Sequence, residues 1–469
     1  MNKGKLSRSS SSENLKGEAD ANENAEPEIK HSFYRWVILL LFANYSASNA
    51  YQWIQYSIIP TEIETFYKLE GKGNALEWLS VIYMVVYIPL IIPATWMIDR
   101  FGLRVCCIYG SIGNAVGAIL KFLAAHYYTE FWLAFTGQTI AAIAQLFVLT
   151  LPPILAGIWF PADQVSTACS IGVMANQLGT AVGFLIPPLL SERLPLLFGL
   201  GAVVCSFQAI LVVLFFKKEP KFSPSLGQAQ RRSDLEIEIK QNGHQKFSES
   251  LAEHSRSVLR MLRKTNNLYL VLSYGLNTGT YYAVGTLLGK FVLSFDFAKG
   301  HEGEIGLDLV VAGLFGATFA GYWLDKSRAY KQTTLVMYFC SFISMIIYTG
   351  IPYLMEYNGP TCFYIAAGLL GFTMTGYLPV GFELGVELTY PENEATVSGL
   401  LNASAQFFGI FLTLGLGHLM DLSKPVEWLG GSNVWLVYSN GIGCLVLLVG
   451  FVVTWMIKEE LNRQNVNNA

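Results

Sequence analysis

Tyr45, Asn49, Gln52, Trp53 and Tyr56 recur at steps of three and four within "NYSASNAYQWIQYSI" (44–58), which continues from the apolar run "WVILLLF" at 36–42. On a helix that spacing gathers them on one face. Leucine would be the ordinary choice in a bilayer, so these residue types ask for a use. Aromatic rings attract a cation through their quadrupole, and several together suit a quaternary ammonium, which offers no conventional hydrogen bond. Neutral amides suit a ligand hydroxyl. Gln177 and Gln406 each lie about ten residues into an apolar run, hence near mid-depth. An amide without a partner is costly in lipid, so both should face protein or a wet cavity, with Asn176, Asn277, Asn402 and Gln145 in the same polar interior. No Asp, Glu, Lys or Arg stands near mid-depth in the first six apolar runs. An aromatic and amide lining fits a small permanent cation better than an amino acid or an organic anion. Trp53 and Tyr282 also suit the aromatic belt of a membrane interface, and the residues alone leave both readings open.

The elements that position these residues are spanning helices. The chain is 52% hydrophobic and 14% charged, with mean hydropathy +0.40. Soluble proteins carry roughly a quarter charged residues, so this is a membrane composition. A span needs about 20 mostly apolar residues. That length divides the chain into an all-α protein of twelve transmembrane helices, six on each side of a polar stretch. The expected organisation is a disordered cytosolic tail (1–32), a six-helix bundle (33–216), a cytosolic loop (217–264), a second six-helix bundle (265–458) and a short cytosolic tail (459–469). Within the loop, Phe247, Leu251, Val258, Leu259 and Leu262 fall on one face, as in an amphipathic helix on the inner leaflet. By helical rise, Trp53 sits roughly 25 Å and Tyr282 roughly 22 Å above the starts of spans one and seven, on the outer side of the midplane. The two would face each other across the centre.

Lys and Arg set the orientation: 24 of the 31 fall in segments that are cytosolic if both termini are inside. The net charge of −3 argues against a nucleic-acid partner. No phosphate-binding loop, metal-ligand spacing or nucleophile–base constellation is present, so neither an enzyme nor a cofactor is expected. The partners are a small-molecule substrate and the bilayer, and the expected state is a monomer. Lys121 and Lys290, towards outer span ends, are expected to snorkel.

The two halves echo each other. Span two ends "WMIDRFGLR" and span eight ends "YWLDKSRAYK", so Asp99, Arg100 and Arg104 recur as Asp325, Lys326 and Arg328. Span five holds "NQLGTAVGF" and span eleven "NASAQFFG"; Tyr45 and Trp53 are matched by Tyr274 and Tyr282. A duplicated six-helix unit places a binding site between the halves, which rock around it. The recurring acid–base order suggests an inner latch. Glu383 and Glu387, four apart near the cytosolic end of span ten, are candidate partners for it, with proton coupling as a second reading.

The D-R-F-G-L-R turn resembles the loop signature of the major facilitator superfamily. "NAYQWIQYSI", "FPADQVSTA", "NQLGTAVGFLIPP", "GYLPVGFELGVELTYPE" and "SGLLNASAQFFG" resemble, within it, the feline leukaemia virus subgroup C receptor-related transporters. That resemblance implies transport of choline and ethanolamine, or, as the runner-up, export of haem. It also implies an aromatic pair around the ammonium, carried here by Trp53 and Tyr282, with Gln177 and Gln406 nearby. Tyr281 precedes Tyr282, so either ring could face the ligand; Asn49 and Gln52 join the list from their shared face. The expected function is facilitated transport of choline by alternating access across the plasma membrane. No His lies at mid-depth to ligate haem iron, which ranks that reading lower, and a non-transporting receptor or scaffold ranks third.

Overall fold

A computed structural model of the chain describes residues 32–69, 72–161, 164–220, 247–354, 359–390, 392, 394–421 and 434–458. The expected tails at 1–31 and 459–469 lie outside the described residues. In order, the main helices are α1 (Tyr34–Ile54), α2 (Pro60–Tyr67), α3 (Ala75–Leu123), α4 (Phe131–Trp159), α5 (Val165–Leu189) and α6 (Leu194–Phe215). After these come α7 (Phe247–Arg263), α8 (Thr265–Leu293), α9 (Glu302–Ser327), α10 (Tyr330–Leu354), α11 (Thr361–Thr389), α12 (Glu394–Asp421) and α13 (Val434–Met456).

Among the described residues, twelve helical runs are long enough to cross a membrane, with α3 supplying two of them. α3 contains Ala75–Ile98 and a second span from Arg100, broken at Gly102 (φ 78°, ψ 172°). That backbone is open to glycine and strained for other residues, so the turn between the spans depends on it. In the second half, Arg328 closes α9 in the left-handed region (φ 51°). Both positive-φ residues come three positions after the Asp of the repeated motif, Asp99 and Asp325. The position of the positive φ therefore recurs, but the turns differ: Arg328 has ψ 19° against 172° at Gly102, a left-handed conformation that the second half reaches without glycine.

Ten spans are apolar enough to be recognised by hydropathy, and α1 and α8 are not among them. These are the two helices that carry Trp53 and Tyr282. Their polar residues depress the average, and a linear average cannot register that these side chains are buried inside the protein rather than in lipid.

We call the end where α1 begins and α13 finishes the terminal side, and the opposite end the distal side. Contacts between the halves run along two helix pairs, α5 against α9 and α3 against α12. On the distal side these pairs are sealed. A Cβ on Gly289 of α8 would lie 2.7 Å from the Ser57 carbonyl oxygen, and one on Gly306 of α9 would lie 2.5 Å from the Phe184 ring. One continuous apolar core joins Ile54, Tyr56, Phe184 and Phe198 of the first half to Tyr281, Leu287 and Ile305 of the second. A separate core, including Phe42, Leu103, Leu151 and Phe160, fills the terminal side of the first half. The halves are thus fused at one end and packed independently at the other.

α7 forms across the terminal side. Phe247 packs edge-on to Trp96 of α3 at 5.5 Å, and Arg260 bonds Glu392 beyond α11 through both carboxylate oxygens (2.9 and 3.1 Å). Met261 is buried whereas Leu259 is half exposed, so the packed face includes Met261 in place of the expected Leu259.

Candidate functional site

α1 ends at Ile54, earlier than its apolar pattern suggests, and Tyr56 lies beyond it. At about 100° per residue, Tyr45, Asn49 and Gln52 fall within about 60° of one another while Trp53 stands at the edge of that stripe. The structure resolves the stripe accordingly. Asn49 and Gln52 are 0% and 1% exposed. Asn49 Nδ2 donates to Asn114 Oδ1 (3.0 Å) and the Ala141 carbonyl (2.9 Å), and Gln52 Nε2 donates to Asn114 Oδ1 (2.7 Å). Expected in the substrate site, both amides in this structure tie α1 into its own half. Tyr45 likewise donates to the Ala144 carbonyl at 2.6 Å.

Trp53 turns the other way. Its ring meets Tyr282 of α8 at 5.8 Å between centroids and 80° between planes, an edge-to-face contact between the two halves. Tyr281 is buried in the shared core behind Tyr282, whose ring it meets at 6.2 Å. Both members of the Trp53–Tyr282 pair are half-buried. Next to them, Tyr87 of α3 engages Asn402 of α12 across the same seam. Gln177 and Asn176 of α5 are half-buried, while Gln406 of α12 is buried. Asn277 of α8 is fully buried, with neither amide atom bonded within the protein. Buried polar atoms of that kind are commonly served by ordered water. The arrangement offers ring faces and neutral amides at the seam, beneath a sealed distal end.

The distal seal carries its own charge cluster. Lys290 Nζ lies 2.5 Å from Glu77 Oε1, 2.8 Å from Asp421 Oδ1 and 3.6 Å from Glu64 Oε1. Only the Asp421 contact also meets hydrogen-bond angles; the approach to Glu77 is a charge contact. Lys290 and Asp421 belong to the second half, and Glu64 and Glu77 to the first, so one ammonium bridges the seam. Burial raises the Glu64 carboxyl above its ordinary range, against the opposing pull of Lys290.

The expected snorkelling of both lysines is overturned. Lys290 turns to these acids, and Lys121 is 1% exposed and donates to Gln138 Oε1 at 2.9 Å. A snorkel needs open headgroup space above the side chain, and here protein occupies it. Glu77 and Gln138, and the bridging role of Lys290, escaped the sequence reading; the one available signal was a polar residue facing an otherwise apolar run.

At the terminal side, Arg100, Arg104, Lys326 and Arg328 are exposed. The side chains of Asp99 and Asp325 lie outside the described residues. Glu383 is exposed and Glu387 buried, so the pair does not share one environment as its spacing suggests.

The Major Facilitator Superfamily family model matches residues 37–414. A choline/ethanolamine transporter of Danio rerio, flvcr2b, is 40% identical over 464 residues, covering 96% of this chain and 90% of that protein. The human choline/ethanolamine transporter FLVCR2 is 38% identical over 454 residues, covering 94% and 80%. Among solved structures, a bacterial homologue of the human lysosomal transporter Spinster in an inward-facing, occupied conformation superposes with TM-score 0.64 at 14% identity. It covers 91% of this chain and 97% of that one.

Proposed function

The chain belongs to the major facilitator superfamily and, within it, to the feline leukaemia virus subgroup C receptor-related transporters, and from that premise we propose that it carries choline, with ethanolamine as a second substrate, by alternating access. The observation that carries the reading is the Trp53–Tyr282 contact, in which one ring comes from each half. In this state the rings touch each other, which leaves no room for an ammonium between them. The proposal is that the pair roofs the site: the trimethylammonium packs against ring faces below the roof, and Gln177 and Gln406 serve the hydroxyl. When the halves rock, the roof parts and the terminal side closes.

On this reading the distal side is extracellular, both termini are cytosolic, and the chain works as a monomer in the plasma membrane. The Lys290 cluster holds the extracellular gate shut. The repeated motif, Asp99 with Arg100 and Arg104, and Asp325 with Lys326 and Arg328, latches the cytosolic end in the opposite state, with Glu383 and Glu387 as acidic partners. Inward movement of one positive charge gains about 2.3 kcal/mol per 100 mV, enough to drive uptake without a coupled ion.

The test is uptake of radiolabelled choline into vesicles containing the purified chain, with an inside-negative potential, alongside Trp53→Ala and Tyr282→Ala. Saturable uptake that each substitution lowers by about tenfold or more is expected, given a cation–π contribution of about 2 kcal/mol when desolvated. Uptake equal to empty vesicles, or unchanged in Trp53→Ala, overturns the reading.

A further inference from the structure

The helix that presents Trp53 stops one residue after it, and its end is unusual. An α-helix leaves its last carbonyls without partners, commonly covered through a left-handed glycine. No residue with positive φ follows Ile54 before Pro60. The carbonyls of Tyr51 and Ile54 are taken by the amides of Gln55 (3.2 Å) and Ser57 (3.0 Å). Those of Gln52 and Trp53 are left to side chains. Gln138 Nε2, from α4, reaches the Gln52 carbonyl at 3.0 Å and the Trp53 carbonyl at 3.4 Å. The Ser80 hydroxyl, from α3, reaches the Trp53 carbonyl at 3.4 Å, and the Gln55 side chain reaches that of Gln52 at 3.4 Å.

Gln138 is in turn oriented by Lys121, whose ammonium holds its Oε1 at 2.9 Å. The Lys121 ammonium stands 5.8 Å from the centre of the Tyr56 ring, and no carboxylate among the described residues pairs with it. A buried ammonium without a counterion is costly unless something else supplies negative potential. The C-terminal end of a helix does, with about half an elementary charge. The end of α1 is the group that Lys121 faces through Gln138.

We propose that Lys121 and Gln138 form a charged cap on α1 that positions Trp53 for substrate. The ammonium fixes which way the Gln138 amide points; the amide NH2 then secures the two carbonyls on either side of the Cα that bears the tryptophan side chain. Lys121 is thus a positioning residue, and of Lys121, Gln138 and Trp53 the substrate meets only Trp53. The inference rests on the choline reading for its transport readout.

The test uses the full chain in vesicles, with Lys121→Met, Gln138→Leu, the double variant and Lys121→Arg. Each single substitution should raise the choline KM about tenfold, the scale of a lost hydrogen bond to a charged group, with Vmax per molecule little changed. Each also leaves a buried polar group orphaned and should lower the melting temperature. In the double variant the lysine no longer stands orphaned, but the Gln52 and Trp53 carbonyls still lack the Gln138 amide, so the melting temperature should recover part of the way above Gln138→Leu while KM stays high. Lys121→Arg, which keeps a donor and a charge, should recover part of the affinity. KM returning to the wild-type value together with stability in the double variant overturns the positioning role, as does a wild-type KM in both single variants. Wild-type protein without choline uptake refutes the substrate reading instead. The cap is then read from hydrogen exchange of the amides at 54–57: faster exchange in Lys121→Met upholds it, and unchanged exchange overturns it.

Discussion

Replacing Lys290 by Met should swing the equilibrium between the two end states towards the one open on the distal side. The wild-type ammonium neutralises part of a cluster of three carboxylates contributed by both halves. Glu77 is 2% exposed as a side chain, whereas Glu64 and Asp421 are about one-third exposed. Breaking a fully buried pair costs about 3–5 kcal/mol. The exposed members reduce that through solvent screening, so about 2–3 kcal/mol is a fair expectation for this cluster. At 1.36 kcal/mol per factor of ten, the ratio of distal-closed to distal-open molecules falls about 30- to 160-fold. Spin labels on cysteines at Lys72 in the first half and Lys299 in the second report the opening as a longer distance by pulsed electron resonance. Glu77→Gln should open the gate less, because Asp421 and Glu64 still hold the ammonium. The double variant Lys290→Met with Glu77→Met removes the buried carboxylate left alone and should close the gate part of the way back. Indistinguishable distance distributions for wild type and Lys290→Met would refute the reasoning, because the cluster would then contribute nothing to closure.

Gly289→Ala places a methyl group 2.7 Å from the Ser57 carbonyl, between two backbones that must touch for closure. Overpacking of this kind costs about 1–3 kcal/mol, so the same label pair should show partial opening, with the folded protein otherwise intact in a melting curve. Gln177→Leu and Gln406→Leu should each weaken choline more than tetramethylammonium, which has no hydroxyl; competition against labelled choline measures both, and equal losses would remove the amides from hydroxyl recognition. Arg260 holds the Glu392 carboxyl below its ordinary range through their hydrogen bonds. Because that folded value is depressed, the contact contributes fully above about pH 4.3 and is lost as pH falls through the lowered value. The protection factors of amides across 247–263, corrected for the intrinsic pH dependence of exchange, should therefore stay constant between pH 7 and pH 5 and fall only below about pH 4. Arg260→Ala should show the lower protection already at pH 7.

The all-helical membrane fold was legible because hydropathy and length are local properties, and a bilayer leaves a helix as the principal way to bury a backbone. The duplication was legible from short motifs, and the pairing of Trp53 with Tyr282 followed from helical rise plus two-fold symmetry. The face assignment of α1 was less secure, because Trp53 lies at the boundary of its polar stripe. A few tens of degrees of rotation decide whether a residue meets its own half or the other, and only the packing of α1 against α3, α4 and α5 sets that rotation. Asn49 and Gln52 fell on one side of that boundary and Trp53 on the other.

The lysines mark the same division. Sequence alone determined that Lys121 and Lys290 stand near the distal ends of apolar helices, and there it stopped. Their partners are Gln138 from the next span, and Glu77, Asp421 and Glu64 from positions up to 226 residues away. Whether a cation near a membrane surface reaches for water or turns inward depends on what fills the space above it. Chain segments distant in sequence fill that space here, so the tertiary structure decided that one lysine caps a helix and the other bridges the two halves.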